Sequence, residues 1–335
     1  MARPTLLITG GAGYIGSHAV KLFLDKGYRV VVIDNLCRGW QEPLDILARR
    51  GDLIFVRGDL TSPKDLAQVF NYYNFAGVLH FAALCLVDES MSKPELYFYN
   101  NVIGSFNLLE ELRHYGPVPL IFSSTCAVYG ESQYLPVDEA HPLNPANPYG
   151  ESKLMVEKMI KWYGECYHLP YVILRYFNVS GADSEGLIGD SKKPSQLLMQ
   201  NAVRGILGIE PFAYTCAKVD TPDGTPIRDY INVEDLIEAH FLAYDYLQHG
   251  GASQIFNIGT GHGYSVKEIV QAVERQVGGT LKQEQAAARQ GEYAQIYADI
   301  TKARQVLGWR PKRSLEDSIA SLVKWYSRYP QGYNF

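Results

Sequence analysis

The segment LLITGGAGYIGSHAVKLFL, Leu6 to Leu24, constrains the fold more than any other part of the chain. A buried apolar run is followed at once by a glycine turn with Gly10, Gly13 and Gly16, and then by a helical pattern. Gly11 also completes a G-x-G-x-x-G match. Such a pattern is weak alone, but here the strand before it and the helix after it are both present. The next apolar run, VVVID, ends in an acidic residue, Asp34, eighteen positions beyond Gly16. Glycines let the backbone approach a pyrophosphate, whose charge is met by amide donors and the positive end of the helix. The expectation is a dinucleotide-binding turn. A carboxylate at position 34 accepts hydrogen bonds from an adenosine ribose and repels a 2'-phosphate, so NAD is expected rather than NADP. Asp59, in VRGDL at the expected end of the third strand, could hydrogen-bond adenine.

Further strand-like runs follow at YRVVVID, LIFVRGDL, AGVLHFAA, PLIFSS and YVILRYFN. Between them lie helical patterns at 16–26, 64–73, 97–115 and 149–167. Alternation of this kind predicts an α/β fold, a doubly wound parallel (Rossmann) sheet with helices on both faces. Past Asn178 the texture changes. SGADSEGLIGDSKKPSQ is polar and glycine-rich, DTPDGTPIRDYI carries turn signals, and apolar periodicity resumes over 233–247, 266–277 and 315–326. We therefore expect a Rossmann domain over 1–177 and a smaller α+β substrate-binding region over 178–335, partly interleaved with the first and forming a cleft with it.

The bulk numbers exclude several classes of function. With 47% hydrophobic and 20% charged residues, the 335-residue chain has globular composition. A net charge of -5 gives no basic field for nucleic acid or an anionic membrane. Cys37, Cys85, Cys126, Cys166 and Cys216 are odd in number and widely spaced, so they read as reduced thiols without a metal-ligand pattern. No stretch approaches the roughly 20 apolar residues of a membrane span, and the N-terminus lacks a signal-peptide core. A cytoplasmic protein without a metal is expected.

PYGESKLMVEK, Pro148 to Lys158, sets Tyr149 four residues ahead of Lys153, on one helix face. For the phenol to act as a base near neutrality its pKa must fall by about 3 units, roughly 4 kcal/mol. One cation about 5 Å away at an effective dielectric of about 20 supplies roughly 3 kcal/mol, and desolvation opposes it. Lys153 alone falls short; Lys153 with the positive nicotinamide of bound NAD suffices. In LIFSSTCAVYG the hydroxyls of Ser123, Ser124 and Thr125 end a buried strand at the sheet edge where ligands of wound folds bind, and one of them could relay a proton to the phenol.

With these features in this order, the chain resembles the extended short-chain dehydrogenases/reductases, and more narrowly the UDP-galactose (UDP-glucose) 4-epimerase family. The resemblance runs nearly end to end through TGGAGYIGSH, DNL, HFAA with VDES, YNNV, FSSTCAVYG, NPYGESKLMVE, LRYFN, DGTPIRDYI, NIGTG and YPQGYNF. It implies that Tyr149 is the base, Lys153 its partner and ribose ligand, and Thr125 the assisting hydroxyl. It implies NAD contacts at Gly10, Gly13, Tyr14, Ile15, Gly16, Asp34, Asn35, Asp59 and Leu60. Phe81, Ala82, Asn100, Ser123, Tyr149, Lys153 and Tyr176 join that set. It implies a UDP-sugar held by Thr125, Tyr149, Asn178, Arg228, Arg289 and Glu292, with the arginines facing the diphosphate, and a homodimer.

The chain also departs from the family. Cys85 stands where some members have lysine, PSQLLM and AYTCAK do not match the usual uridine segments, and Ile296 falls where residue size varies with acetamido sugars. A 4,6-dehydratase of the same group would carry an acidic pair after Thr125, where this chain has Cys126 and Ala127. Epimerases of UDP-xylose/UDP-arabinose, UDP-glucuronate or UDP-N-acetylhexosamines differ by a few pocket residues. From another class, the alternative is a catalytically silent NAD-binding sensor.

Overall fold

The computed structural model describes residues 3–192, 195–212, 218–281 and 293–333. The chain forms two compact units. The first comprises Met1–Val128, Pro145–Arg175 and Ile237–Phe256; the second comprises Tyr129–Asn144, Tyr176–Leu236 and Asn257–Phe335.

The first unit is the Rossmann domain. Its strands are β1 (Thr5–Thr9), β2 (Arg29–Asp34), β3 (Leu53–Arg57), β4 (Gly77–His80), β5 (Leu120–Thr125) and β6 (Tyr171–Tyr176). Its helices are α1 (Tyr14–Asp25), α2 (Glu42–Leu47), α3 (Pro63–Tyr72), α4 (Val87–Ser92), α5 (Pro94–Tyr97), α6 (Gly104–Tyr115) and α7 (Pro148–Tyr167). A later strand, Gln254–Ile258, completes a seven-stranded sheet beside β6, giving the order Gln254–Ile258, β6, β5, β4, β1, β2, β3. The pairs β2–β3, β1–β2, β1–β4 and β4–β5 are parallel. The order reverses between β1 and β4, so the crevice beyond their carboxyl ends is the topological switch point. Strands here are apolar without alternation because both faces are covered. Leu7, Val31, Val78 and Phe122 pack with residues of α3, α6 and α7, such as Leu66, Leu108 and Val156. On the opposite face Phe23 of α1 meets Phe241 and Tyr244, with ring centroids 5.7 and 5.9 Å apart.

The helix expected over 97–115 is present, running on from Pro94, but it is not α-helical throughout. Residues Phe98–Ile103 form a π-helical turn between α5 and α6, a rare geometry that tends to mark functional sites. α7 begins at Pro148, capped by Asn147, whose side chain accepts from the Gly150 N–H at 2.9 Å.

The second unit, smaller and α+β, contains β7 (Asn178–Ser180), β8 (Ile227–Arg228), β9 (Tyr230–Asn232), and, after Gln254–Ile258 as β10, β11 (Tyr264–Ser265) and β12 (Gln295–Ile296). β7 pairs parallel to β9, and β8 lies between β11 and β12. Its helices are α8 (Leu198–Ile206), the start of α9 (Val233–Gln248), α10 (Val266–Val277), α11 (Thr301–Val306) and α12 (Leu315–Arg328). Reciprocal capping boxes at Ser265/Glu268 and Ser314/Asp317 begin α10 and α12. The strand β7 and the helices α8 and α11 were not expected; β7 and α11 are too short to show a clear period. No helix among the described residues is long and apolar enough to cross a membrane.

Candidate active site

The glycine turn is shaped by close backbone approach. A Cβ at Gly16 would lie 2.1 Å from the Gly10 carbonyl oxygen, and one at Gly10 would lie 2.6 Å from the Ala82 nitrogen. Gly10 also has φ +71°, a conformation that L side chains rarely adopt. No side chain caps α1, the arrangement in which a helix N-terminus receives an anion. This cradle, which any Cβ would fill, fits the pyrophosphate of a dinucleotide.

Asp34 ends β2 almost fully buried. Its carboxylate accepts from the Leu36 N–H at 2.8 Å and the Ala12 N–H at 3.1 Å, which ties the glycine turn to the β2 end. Burial pushes the Asp34 carboxyl up, with those two N–H groups opposing. Leu36 holds φ +63°, unusual for a branched residue and nothing its sequence signals. The amide of Asn35 donates to Asp59 at 2.8 Å, and Thr61 donates to Asp59 through hydroxyl and N–H at 2.7 and 2.8 Å. Burial would raise the Asp59 carboxyl, but these donors outweigh it and hold it below the ordinary range. The Asp34 and Asp59 carboxylates thus lie at the end of β2 and just past the end of β3, each fixed by nearby donors.

β4 ends in His80, which sequence reasoning passed over. Ser105 Oγ donates to the Asn101 carbonyl at 2.6 Å, so it accepts from His80 Nε2–H at 2.8 Å. Nδ1 then accepts from Thr9 Oγ1 at 2.7 Å. Burial, with the nearby Lys153 adding to it, pulls the imidazole down to about 3, so the ring is neutral. The π-helical turn carries Asn100 and the buried Asn101. Asn101 accepts from Leu84 N–H at 2.8 Å and Asn100 at 2.9 Å, and donates to Leu84 O and Ser152 Oγ, both at 3.0 Å. The loop after β4 is thereby tied to α7.

The tyrosine and lysine of α7 are both buried within the same unit as the glycine turn. Tyr149 packs with Leu84 and Tyr97, beside Cys85, Val87 and Ala127. Gly150 explains why the motif reads PYG: a Cβ there would lie 2.6 Å from the Ala127 carbonyl oxygen. Thr125 Oγ1 accepts from the same residue's N–H at 3.1 Å, so strand-end hydroxyl, turn and tyrosine are contiguous. Lys153 Nζ donates to the Ser123 carbonyl at 2.7 Å and lies 4.8 Å from the Phe122 ring centre. Burial draws the ammonium down to about 8, with Cys85 and Glu157 working the other way. It remains cationic at neutral pH.

Ser123 Oγ bonds His240 Nε2 at 2.8 Å, and that ring stacks on Phe81 at 4.8 Å between centres. Leu60, almost fully buried, offers its carbonyl to Asn107 at 2.9 Å. His240 was not anticipated, because its partners lie far away in sequence.

The remaining expected residues belong to the second unit. Tyr176 is half-buried. The Asn178 N–H donates to the Asp229 carbonyl at 2.9 Å, and the Arg228 guanidinium donates to the carbonyls of Ile227 and Tyr293, both at 2.8 Å. Ile296 is buried and registers with Arg228 across β12 and β8. Arg289 and Glu292 lie outside the described residues, as does Cys216; Cys37, Cys85, Cys126 and Cys166 form no disulfide.

A family model described as GDP-mannose 4,6 dehydratase matches residues 7–322. A UDP-glucose 4-epimerase from Halalkalibacterium halodurans is 42% identical over 331 residues, covering 98% of this chain and 97% of that protein. The crystal structure of UDP-glucose 4-epimerase from Brucella ovis in complex with NAD superposes with TM-score 0.89 at 39% identity, covering 96% of this chain and 97% of that one. That of the Bifidobacterium longum enzyme in complex with NAD+ and UDP gives TM-score 0.93 at 34% identity, over 98% and 100% of the two chains.

Proposed function

Because this chain belongs to the UDP-glucose 4-epimerase family of extended short-chain dehydrogenases/reductases, we propose that it is an NAD-dependent isomerase that inverts C4 of a UDP-sugar. It interconverts UDP-glucose and UDP-galactose through a transient 4-keto sugar. The observation that carries this reading is the buried Lys153 ammonium at the end of β5, one helical turn from Tyr149 and in the same unit as the glycine cradle.

Tyr149 takes the 4-OH proton, with Thr125 relaying it, and Lys153 lowers the phenol's proton affinity by its charge and holds the nicotinamide ribose. NAD, when bound, would supply a reversible hydride acceptor for C4 of the sugar, held by the residues below. Gly10, Gly13, Tyr14, Ile15 and Gly16 receive the pyrophosphate. Asp34, Asn35, Asp59 and Leu60 take the adenosine, and Phe81, Ala82, Asn100, Ser123 and Tyr176 flank the remainder. Asn178 and Arg228, with Arg289 and Glu292, hold the UDP-sugar. The family model bears a dehydratase's description, but elimination of water from the sugar needs an acid beside Thr125, and Cys126 and Ala127 supply none.

The protein acts as a cytoplasmic homodimer in this reading. Tyr99, Ile103 and Phe106 on the π-turn and α6 are 59%, 41% and 42% exposed, and Trp162 on α7 is 67% exposed. An apolar stripe of this kind on neighbouring helices suits a second copy of the chain. Light scattering should give a dimer that Trp162→Glu converts to monomer; a monomeric native protein would contradict the pairing.

The test of function is to incubate the protein separately with UDP-glucose, UDP-N-acetylglucosamine, UDP-xylose and UDP-glucuronate, then resolve the products. UDP-galactose should form from UDP-glucose without stoichiometric use of added NAD. Turnover of the xylose or glucuronate compound alone would move the substrate assignment. Absence of product from all four, with no change in nicotinamide absorbance, would leave an NAD-binding sensor.

A further inference from the structure

Behind the tyrosine and lysine, α7 carries a third polar residue on the same stripe. Glu157 follows Lys153 by four positions and is fully buried, and it meets Arg175 of β6, 1% exposed. The contact is a fork: Arg175 Nε to Oε1 at 2.9 Å and Nη2 to Oε2 at 2.6 Å. Ser124 Oγ donates to Oε1 at 2.5 Å. Consecutive residues of β5 therefore grip consecutive turns of α7. The Ser123 carbonyl takes Lys153, and the Ser124 hydroxyl binds Glu157. The next strand residue is Thr125, and the next residue up the stripe is Tyr149.

Stability alone is a weak reason for such a pair, since a buried ion pair often does no better than apolar residues of the same volume. Its placement suggests a second purpose. On a helix, positions four apart share a face, so the carboxylate sits one turn from the lysine in a medium that screens poorly.

We propose that Glu157 is a positioning residue for the Tyr149–Lys153 pair: clamped by Arg175 and Ser124, it fixes the register of α7 on β5 and keeps a negative charge behind the lysine, which stays protonated. The proposal rests on the reading of Tyr149 and Lys153 as the proton-handling pair. Near the ammonium lie the neutral His80 and the Phe122 ring, with the Ser123 carbonyl as its acceptor; burial works against its charge, and Cys85 and Glu157 favour it. Arg175, across Glu157, is held by the fork.

The experiment compares the wild-type holoenzyme with Glu157→Gln and with Glu157→Met/Arg175→Met, in which both charges are replaced by apolar side chains. Three quantities are read: thermal midpoint, the alkaline limb of kcat/KM for UDP-galactose, and titration of the Lys153 ε-carbon in 13C-lysine-labelled protein, assigned with Lys153→Arg. Glu157→Gln should move the alkaline limb and the lysine titration to lower pH by about one unit or more. The double variant should regain most of the lost thermal midpoint while the limb stays displaced. Should Glu157→Gln not fold, the double variant carries the test. A folded variant whose limb and lysine titration match wild type, with only the thermal midpoint changed, overturns the proposal. A wild-type protein that epimerises no UDP-sugar counts against the functional reading instead, and the lysine titration still decides the role of Glu157.

Discussion

The ammonium of Lys153 donates to the main-chain carbonyl of Ser123 at 2.7 Å, which pins α7 to the end of β5 through a charged side chain that is 3% exposed. Replacing it with methionine removes the cation that eases proton loss from Tyr149 and the charged donor to the Ser123 carbonyl. Lys153→Met should lower kcat by about 10²- to 10⁴-fold, the usual range for loss of acid–base assistance. Arginine should not rescue, because its planar fork cannot occupy the hole of a compact ammonium. Steady-state kinetics on UDP-galactose would check both; kcat within a factor of a few of wild type in either variant would speak against the role.

The glycine cradle can be tested by a matched pair. At Gly16 a Cβ would meet the Gly10 carbonyl oxygen at 2.1 Å, backbone against backbone, whereas at Gly27, with φ +85°, nothing lies within 4 Å. Gly16→Ala should weaken NAD binding by about 10²-fold, in line with misplacement of a site by an ångström. Gly27→Ala should cost about 1–2 kcal/mol of stability from the left-handed conformation alone and leave NAD affinity intact. Calorimetric titration with NAD separates the two.

Asp34 accepts the N–H groups of both Ala12 and Leu36. Asp34→Ser should reduce NAD affinity and narrow the preference over NADP, because the charge that repels a 2'-phosphate is gone. Parallel titrations with the two dinucleotides would measure this; an unchanged ratio would mean that selectivity lies elsewhere.

His80 makes a pH prediction. Its folded value, about 3, lies below its unfolded value of 6.5, so the unfolded chain binds the extra proton first and stability is lost as pH falls below about 6.5. Between pH 6.5 and 5 this one group should cost about 2 kcal/mol. Urea denaturation at the two pH values should show that loss in wild type. His80→Asn should start less stable and lose correspondingly less. An equal loss in both would show that other groups govern the acid limb.

What was legible in the sequence was what is local. Gly10, Gly13, Gly16 and Asp34 lie within one strand–turn–helix–strand unit, and Tyr149 and Lys153 share a helix face, so spacing alone locates them. Thr125 is legible because it ends an apolar run. The residues that brace this site depend on contacts distant in sequence. Glu157 finds Ser124 thirty-three residues away, and Ser123 finds His240 at a separation of 117. His80 looks like part of an apolar strand until Thr9 and Ser105 are placed on its two nitrogens. The π-turn at Phe98–Ile103 leaves no mark on a periodicity of 3.6, because one extra residue in a turn shifts the pattern less than ordinary variation in side chains does. Leu36 at φ +63° is held by the Asp34 carboxylate against its own preference, which no propensity scale would anticipate.

The most direct measurement follows the hydrogen at C4. UDP-galactose deuterated at that carbon, incubated with the protein in ordinary water, should give UDP-glucose with the deuterium still at C4, and Tyr149→Phe should form little product while keeping NAD. Deuterium washed out into solvent, or full turnover without the phenol, would contradict an inversion in which the same hydrogen leaves C4 and comes back.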